Sequence, residues 1–374
     1  MPAFSWNRVE ISLSALQENY RNIRNLVGSD VKILAMVKSE AYGHGLIPAA
    51  KALATAGVSD FGVAEIEEGI QLREAGLKGN IIITLGSPAL GFSEVVRHKL
   101  SPVVFDADEI EKLSAVAEKV QASVGVHLKI DVGMGRLGVL PEAAHSLIKV
   151  ISRLGGVHLA GILSHFPMAD VTASEATIEQ YKRFQRLLAE LVGLGAHGGI
   201  THIANSAALI RYPETHLHMV RPGIALYGCY PAQHEIFLRA LPLQPVMSFK
   251  TNVIQVKEVP AGYGISYGHR FITPQPARMA ILPVGYDDGY LRVLSNRAKV
   301  LIRGCRLPVV GTVCMNACVV DITGQPEIQA GDEVVLLGSQ GDEKITADEI
   351  SGWMETISYE VLCLFGKSNR RVYV

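Results

Sequence analysis

Lys38 ends an apolar run, Ile33-Leu34-Ala35-Met36-Val37, and is followed at once by a polar, glycine-bearing turn, Ser39-Glu40-Ala41-Tyr42-Gly43-His44-Gly45. An apolar run of that length closed by a turn reads as a buried strand. Lys38 then falls at the strand's carboxyl end, where chemistry collects in parallel α/β folds. A partly desolvated lysine there is suited to form a Schiff base with a carbonyl cofactor. Position alone leaves a surface lysine open as the alternative. Comparable strand-end positions carry Lys129, Asp131 and Arg136 in KIDVGMGRLG, then Ser164-His165-Phe166, Asn205-Ser206 and Arg221-Pro222-Gly223-Ile224. Several suit an anionic group. Ser206 opens a helix whose N–H groups and hydroxyl can bind phosphate, Gly223 permits close backbone approach, and Tyr42 can donate a phenolic hydrogen bond. Singly, they fit an N-cap, a turn glycine and a packed aromatic, and His165 fits a hydrogen-bonded structural histidine. Their coincidence at successive strand ends is what points to a site.

The elements that must position these residues alternate. Helical spacing over 12–28 precedes the strand that ends on Lys38. Then come helix 46–56, strand 60–64, helix 65–75, strand 80–85, a helix near 89–98, strand 102–105, helix 107–120 and strand 125–131. Helix 141–154, strand 158–164, helix 172–194, strand 200–204, a short helix near 206–212 and strand 217–226 complete the series. Eight strands alternating with helices imply right-handed crossovers and a parallel sheet. That number, in this length, fits a (β/α)8 barrel of the triosephosphate-isomerase type. No G-x-G-x-x-G follows the first strand, which argues against an open dinucleotide-binding sheet. Beyond Pro242 and Pro245 helical spacing mostly disappears. Runs such as VMSFKTNVIQVKEV, RMAILPVGY and RLPVVGTVCMNACVVDI predict a mainly β second domain interrupted by one helix near 346–356. The expected boundary separates a barrel over 1–242 from a β domain over 243–374.

Composition excludes other classes. The 374 residues are 48% hydrophobic and 19% charged with a formal net charge of −1, which describes a globular chain without a nucleic-acid footprint. The opening residues show no apolar signal core and no run reaches transmembrane length. Five scattered cysteines suit reduced thiols, so a cytoplasmic location is expected. Cys314 and Cys318 resemble half of a metal site, but no second pair lies nearby, so they read as buried thiols and no metal is expected.

The run AMVKSEAYGHG resembles the pyridoxal 5'-phosphate (PLP) lysine motif of the alanine racemase family, and the resemblance extends along essentially the whole chain. It implies a PLP-dependent isomerase that interconverts L- and D-alanine and supplies D-alanine for peptidoglycan. By this resemblance Lys38 carries PLP and later acts as a base. Tyr42, Ser206, Gly223, Ile224 and Tyr359 correspond to the phosphate-binding set. Arg221 corresponds to the arginine facing the pyridine nitrogen, with His165 its supporting partner, and Arg136 to the arginine near the phenolic oxygen. Lys129 matches a lysine that is carbamylated in many members. In the second domain Gly262-Tyr263-Gly264-Ile265-Ser266-Tyr267-Gly268 resembles the family's G-x-x-x-SYG motif, making Tyr267 the second base. The resemblance also implies a homodimer in which that tyrosine reaches the other subunit's barrel. Met315 matches the residue whose backbone N–H meets the substrate carboxylate, and GYDDGY, 285–290, the segment at the site entrance. Asn316 departs from the commoner Asp and bears on substrate discrimination.

The implied reaction makes sense of the residue types. A Cα–H is too weak an acid for a side chain alone, and PLP supplies the electron sink. Two enantiomers of equal free energy call for two bases on opposite faces, the role of Lys38 and Tyr267, both needing lowered effective pKa values. An amino-acid decarboxylase is disfavoured by the Ser-Tyr-Gly motif and by the lack of a Cys-Asp catalytic pair. A non-catalytic PLP-binding protein, resembling the barrel alone, is disfavoured by the second domain. A broad-spectrum racemase acting on alanine and serine remains the nearest alternative.

Overall fold

The computed structural model describes residues 5–171, 174–193 and 199–374. Eight parallel strands close a barrel: β2 (Lys32–Met36), β3 (Asp60–Val63), β4 (Asn80–Ile83), β5 (Ser101–Val104), β6 (Val124–Lys129), β7 (Val157–Leu163), β8 (Ile200–His202) and β9 (Met219–Val220). Closure is made by β2 on β9, with Lys32 opposite Met219 and Ile33 opposite Val220. Most strand residues are buried on both faces, as expected where helices cover a parallel sheet. The helices obey their sequence signals. Asp106 accepts from the Glu109 N–H at 3.0 Å to cap Ala107–Lys119, and Pro141 opens Pro141–Arg153. The expected helix over 172–194 is seen as Ala176–Gly193; residues 172, 173 and 194 lie outside the described residues. The last barrel strand is shorter than the expected 217–226, because Pro222 lacks an N–H and a 3-10 turn over Ile224–Tyr227 follows.

The chain separates into two compact units that divide at Gln244 and Pro245, with two short N-terminal segments grouped with the second unit. Leu16–Ala41 and Leu46–Gln244 form the barrel unit, whereas the segment through Ala15, Tyr42–Gly45 and Pro245–Val374 form the second. The reason is strand pairing. β1 (Arg8–Ile11) runs antiparallel to β10 (Met247–Asn252) and parallel to β20 (Arg371–Tyr373). A single-sequence reading gives no sign that so short a strand pairs with a segment more than two hundred residues away. The second unit is mainly β: one sheet runs in the order β11 (Gln255–Val259), β14 (Ala277–Leu282), β17 (Cys318–Asp321), β16 (Cys305–Val310), β15 (Lys299–Ile302), β18 (Glu333–Gln340), β10, β1, β20. Two helices, not one, interrupt it: Ala347–Met354 and Ser358–Ser368. The second reads as strand by composition, yet Val361, Leu362 and Phe365 put its apolar positions at helical spacing, and Phe365 packs 5.0 Å from the ring of Phe249.

Candidate active site

The carboxyl end of β2 is fixed from three directions. Met36 N–H donates to Pro222 O at 3.0 Å, Val37 N–H to Gly62 O at 2.8 Å, and the Tyr227 hydroxyl to Met36 O at 2.9 Å. Lys38 follows. The backbone then changes hand: Ser39, Glu40, Ala41 and Tyr42 have φ of 55°, 58°, 52° and 55°. The expected turn is therefore one turn of left-handed helix without a glycine in it. Each such residue costs roughly 1–2 kcal/mol, so four in a row ask on the order of 4–8 kcal/mol of their surroundings. Ala41 N–H closes the turn on Val37 O at 2.8 Å, and Ser39 N–H donates to Glu68 Oε1 at 2.5 Å.

Inside the barrel Arg221 organises three imidazoles. Its Nη1 donates to His202 Nδ1 at 3.1 Å, and its Nη2 to His165 Nδ1 at 3.0 Å, Ser164 O at 2.7 Å and Ile203 O at 3.1 Å. Arginine has no acceptor, so His202 and His165 must accept at Nδ1 and carry their proton on Nε2. His202 Nε2–H is then left to donate to His127 Nδ1, 3.1 Å away, which makes His127 neutral too. Electrostatics agree. Burial, with Arg221 next, lowers His127 to about 4 and pushes His165 and His202 well below the ordinary histidine range. Burial lowers Arg221 itself to about 10. Room for His127 exists because residue 161 is glycine: a Cβ there would stand 2.4 Å from His127 Nδ1.

Lys129 shares the face of His127 in β6, two residues on, and is buried. Burial first, then the charges of Arg221 and Arg136, lower its amine to about 7, with Asp131 opposing. Asp131 shapes the loop that bears Arg136. Its carboxylate accepts from the N–H groups of Gly133, Met134, Gly135 and Arg136 at 2.7–3.2 Å. Partial burial works to raise the Asp131 carboxyl, and these four bonds more than offset it, leaving it below its ordinary value. Ser206 is not the N-cap that its position suggested. Asn205 takes that place, accepting from Ala208 N–H at 3.0 Å, while the Ser206 hydroxyl accepts from Gly223 N–H at 2.9 Å and Ala225 N–H at 3.4 Å. Ser206, Gly223 and Ile224 are thus brought together.

The second unit carries the remaining candidates. Tyr42 and Tyr359 lie with ring centroids 6.1 Å apart, and burial of the Tyr42 phenol pushes its pKa up. Tyr267 is 73% exposed on a turn after β12 (Gly264–Ile265). Its carbonyl accepts from Thr312 Oγ1 at 2.7 Å, and Ser266, at φ 62°, donates from Oγ to Thr312 O at 2.6 Å. This binds the Tyr267 turn to the segment leading to Met315. The 285–290 segment holds Met315 from its other side. Tyr286 N–H donates to Cys314 O and Asp287 N–H to Met315 O, both at 3.1 Å. Gly285 is required there, since a Cβ would meet the Cys314 and Met315 carbonyl oxygens at 2.1 and 2.3 Å. Met315 is 53% exposed, and Asn316 Nδ2 donates to Asp287 Oδ2 at 3.4 Å. Cys318 is buried in β17 with its thiol pushed up by burial, whereas Cys314 is half-buried, 3.2 Å from Ser266 Oγ.

Residues 11–231 match the family model for the alanine racemase N-terminal domain and residues 246–373 that for the C-terminal domain. The chain belongs to the alanine racemase family. It is 42% identical over 366 residues to the alanine racemase of Syntrophobacter fumaroxidans, covering 98% of this chain and 96% of that one. Among solved structures, alanine racemase from Bacillus anthracis with bound L-Ala-P superposes with a TM-score of 0.93 at 32% identity, covering 100% of this chain and 96% of that one. That from Bartonella henselae, with covalently bound pyridoxal phosphate, gives 0.89 at 29% identity, covering 100% of both chains. The family is PLP-dependent, and the barrel residues fit that cofactor. The basic side chains of Arg221, Lys129, Arg136 and Lys38 all press His165 toward its neutral form, which marks an electropositive setting for a phosphate-bearing group, and Arg221 is held as a pure donor.

Sequence reading passed over His127, His202 and Glu68. The two histidines were detectable: His127 and Lys129 are polar residues at period two in the otherwise apolar run GVHLKI, and one imidazole stands in ITHIA. Glu68 had no such signal, being one of three glutamates in EIEE. Among the described residues no helix is long and apolar enough to cross a membrane.

Proposed function

We propose that this chain interconverts L- and D-alanine with PLP held through Lys38 Nζ. The observation that carries the reading is the full-length match, through both domains, to alanine racemases. Bound PLP would supply the electron sink that acidifies the substrate Cα–H. Ser206, Gly223 and Ile224 would hold its phosphate, and the family resemblance gives Tyr42 and Tyr359 the same role. Arg221 would donate to its ring nitrogen, and the neutral imidazoles of His165 and His202 keep that guanidinium oriented, with His127 behind His202. Arg136 would neutralise oxygen charge near the reacting carbon, and the Met315 N–H would receive the substrate carboxylate. Lys38 Nζ takes or returns the Cα proton on one face, and a tyrosine hydroxyl does so on the other.

The protein works as a homodimer in this reading, and the second base is the partner subunit's Tyr267. Support comes from the exposure of Tyr267 and Met315, with Tyr263 and Ile272 also exposed in the same unit. Lys129 is proposed to be carbamylated. An amine lowered to about 7 is substantially neutral at physiological pH, the form that adds carbon dioxide, and the product would pair with Arg136. A carbamate resonance from 13C-bicarbonate, absent in Lys129→Ala, is the expected signature.

The deciding experiment incubates purified protein and PLP with L-alanine in D2O. D-alanine deuterated at Cα is expected, with L-serine turned over more slowly. Binding of PLP with neither exchange nor inversion of alanine would overturn the assignment.

A further inference from the structure

The left-handed turn after Lys38 is closed by a side chain that no part of the proposed reaction uses. Glu68 lies in the first turn of helix Ile66–Glu74, immediately after β3. A glutamate at that place ordinarily reaches back to the N–H of the residue that caps the helix. Here that bond is the long one, Glu65 N–H to Oε2 at 3.4 Å. The short bonds go elsewhere: Ala64 N–H donates to Oε2 at 2.7 Å, and Ser39 N–H to Oε1 at 2.5 Å. The carboxylate is therefore displaced from the cap toward β2. It ties the chain leaving β3 to the first peptide after Lys38.

We propose that Glu68 is the positioning residue for Lys38. Its carboxylate receives the N–H of the first residue of the left-handed turn. This fixes the peptide plane after Lys38 and with it the direction of the Lys38 Cα–Cβ bond. A lysine that must both hold a cofactor and move a proton on one face needs that direction fixed closely. Without the acceptor, Ser39 to Tyr42 have little reason to stay left-handed, since none is glycine. The inference rests on the reading of Lys38 as the cofactor lysine.

The test separates the two claims. Borohydride reduction of the wild-type holoenzyme followed by peptide mass analysis establishes whether PLP is on Lys38; a label elsewhere sinks the underlying reading whatever Glu68 does. Glu68→Ala and Glu68→Gln are then compared with wild type as holoenzymes. Glu68→Gln keeps the shape but has one acceptor oxygen, so it turns an amide NH2 toward one of the two N–H groups. For Glu68→Ala we expect amide exchange in the peptide spanning 38–43 to rise at least tenfold and cofactor dissociation to quicken by a similar factor. The Cα-deuterium isotope effect should grow for the enantiomer whose proton faces Lys38 and stay unchanged for the other. kcat/KM must fall equally in both directions, because the equilibrium constant is one. Glu68→Gln should show the same pattern at smaller amplitude, and it decides the matter if Glu68→Ala does not fold. A lowered melting temperature with exchange, cofactor retention and both isotope effects unchanged would reduce Glu68 to a helix cap and overturn the proposal.

Discussion

The two units hold their chemistry in opposite ways. In the barrel the candidate groups are withdrawn from water: Lys129, His127, His202 and Arg221 are each less than a tenth exposed. Their protonation is set by burial and by one another, so Arg221 keeps the only charge among itself and three imidazoles. In the β unit Tyr267 and Met315 stand at the surface, held by backbone contacts to Thr312, Tyr286 and Asp287 that fix position and leave the functional atoms exposed. Tyr267 is 73% exposed, so this unit alone supplies little around its hydroxyl. The barrel groups are enclosed by one another, whereas those of the β unit face outward, and the proposed homodimer would cover them.

The sharpest way to break that contrast is complementation. Lys38→Ala and Tyr267→Phe should each lower racemisation by about 10²–10⁴-fold, the range for a lost general acid or base. If the site is shared, mixing the two inactive proteins under subunit exchange restores activity, because a mixed dimer has one site with neither change. Random pairing makes half the dimers mixed, so about a quarter of wild-type activity is expected. No recovery despite verified exchange would place both bases in one subunit.

Removing the barrel's organising charge comes next. Arg221→Glu leaves His165, His202 and two carbonyls without their donor, and bonds to a charged group contribute about 1.5–3 kcal/mol each. The melting temperature should fall sharply, and transamination should take a larger share of turnover, as read by pyruvate formed per D-alanine. An unchanged partition would count against the ring-nitrogen role.

Acid should attack the barrel selectively. His127 titrates near 4 when folded, against about 6.5 unfolded. Its pKa is lowered by folding, so the unfolded chain binds more protons between those values. Stability is therefore lost as pH falls from about 6.5 to about 4, by on the order of 3 kcal/mol at about 1.4 kcal/mol per pH unit, and not further below. Denaturant midpoints followed across that window should fall less steeply in His127→Gln, the remaining slope coming from His165 and His202. The unmodified amine of Lys129 acts in the alkaline range in the same sense: its folded value near 7 lies below the unfolded value of about 10.4, so stability rises with pH between them, and carbamylation would remove that dependence. At the exposed end of the comparison, Asn316→Asp sets a second carboxylate beside Asp287. Exposed pairs interact by about 0.2–1 kcal/mol, so KM for alanine should rise less than about fivefold and the change should shrink with salt.

Much of the barrel was legible because its signals are local. Apolar runs ending on Lys38, Lys129 and Ser164 mark strands, and Asp106, Pro141 and Ser12 mark helix starts. The helix Ser358–Ser368 was missed because its aliphatic composition suits a strand as well, and the cap alternative stood open for Ser206 because Asn205 beside it caps equally well. The membership of β1 in the second unit was not legible, since β1 is four residues long and its partners lie at the far end of the chain.

The amino-acid order by itself determined the barrel, the β unit and the candidate residues for chemistry, because strand and helix periodicity and the Lys38, Arg136 and Tyr267 motifs are written within short stretches. Only the tertiary structure decided that His127, His202 and His165 are neutral imidazoles around one arginine, that β1 belongs with the C-terminal sheet, and that Glu68 closes a left-handed turn behind Lys38. Each of these depends on a distance between residues remote in sequence, and protonation, pairing and strain are properties of such distances.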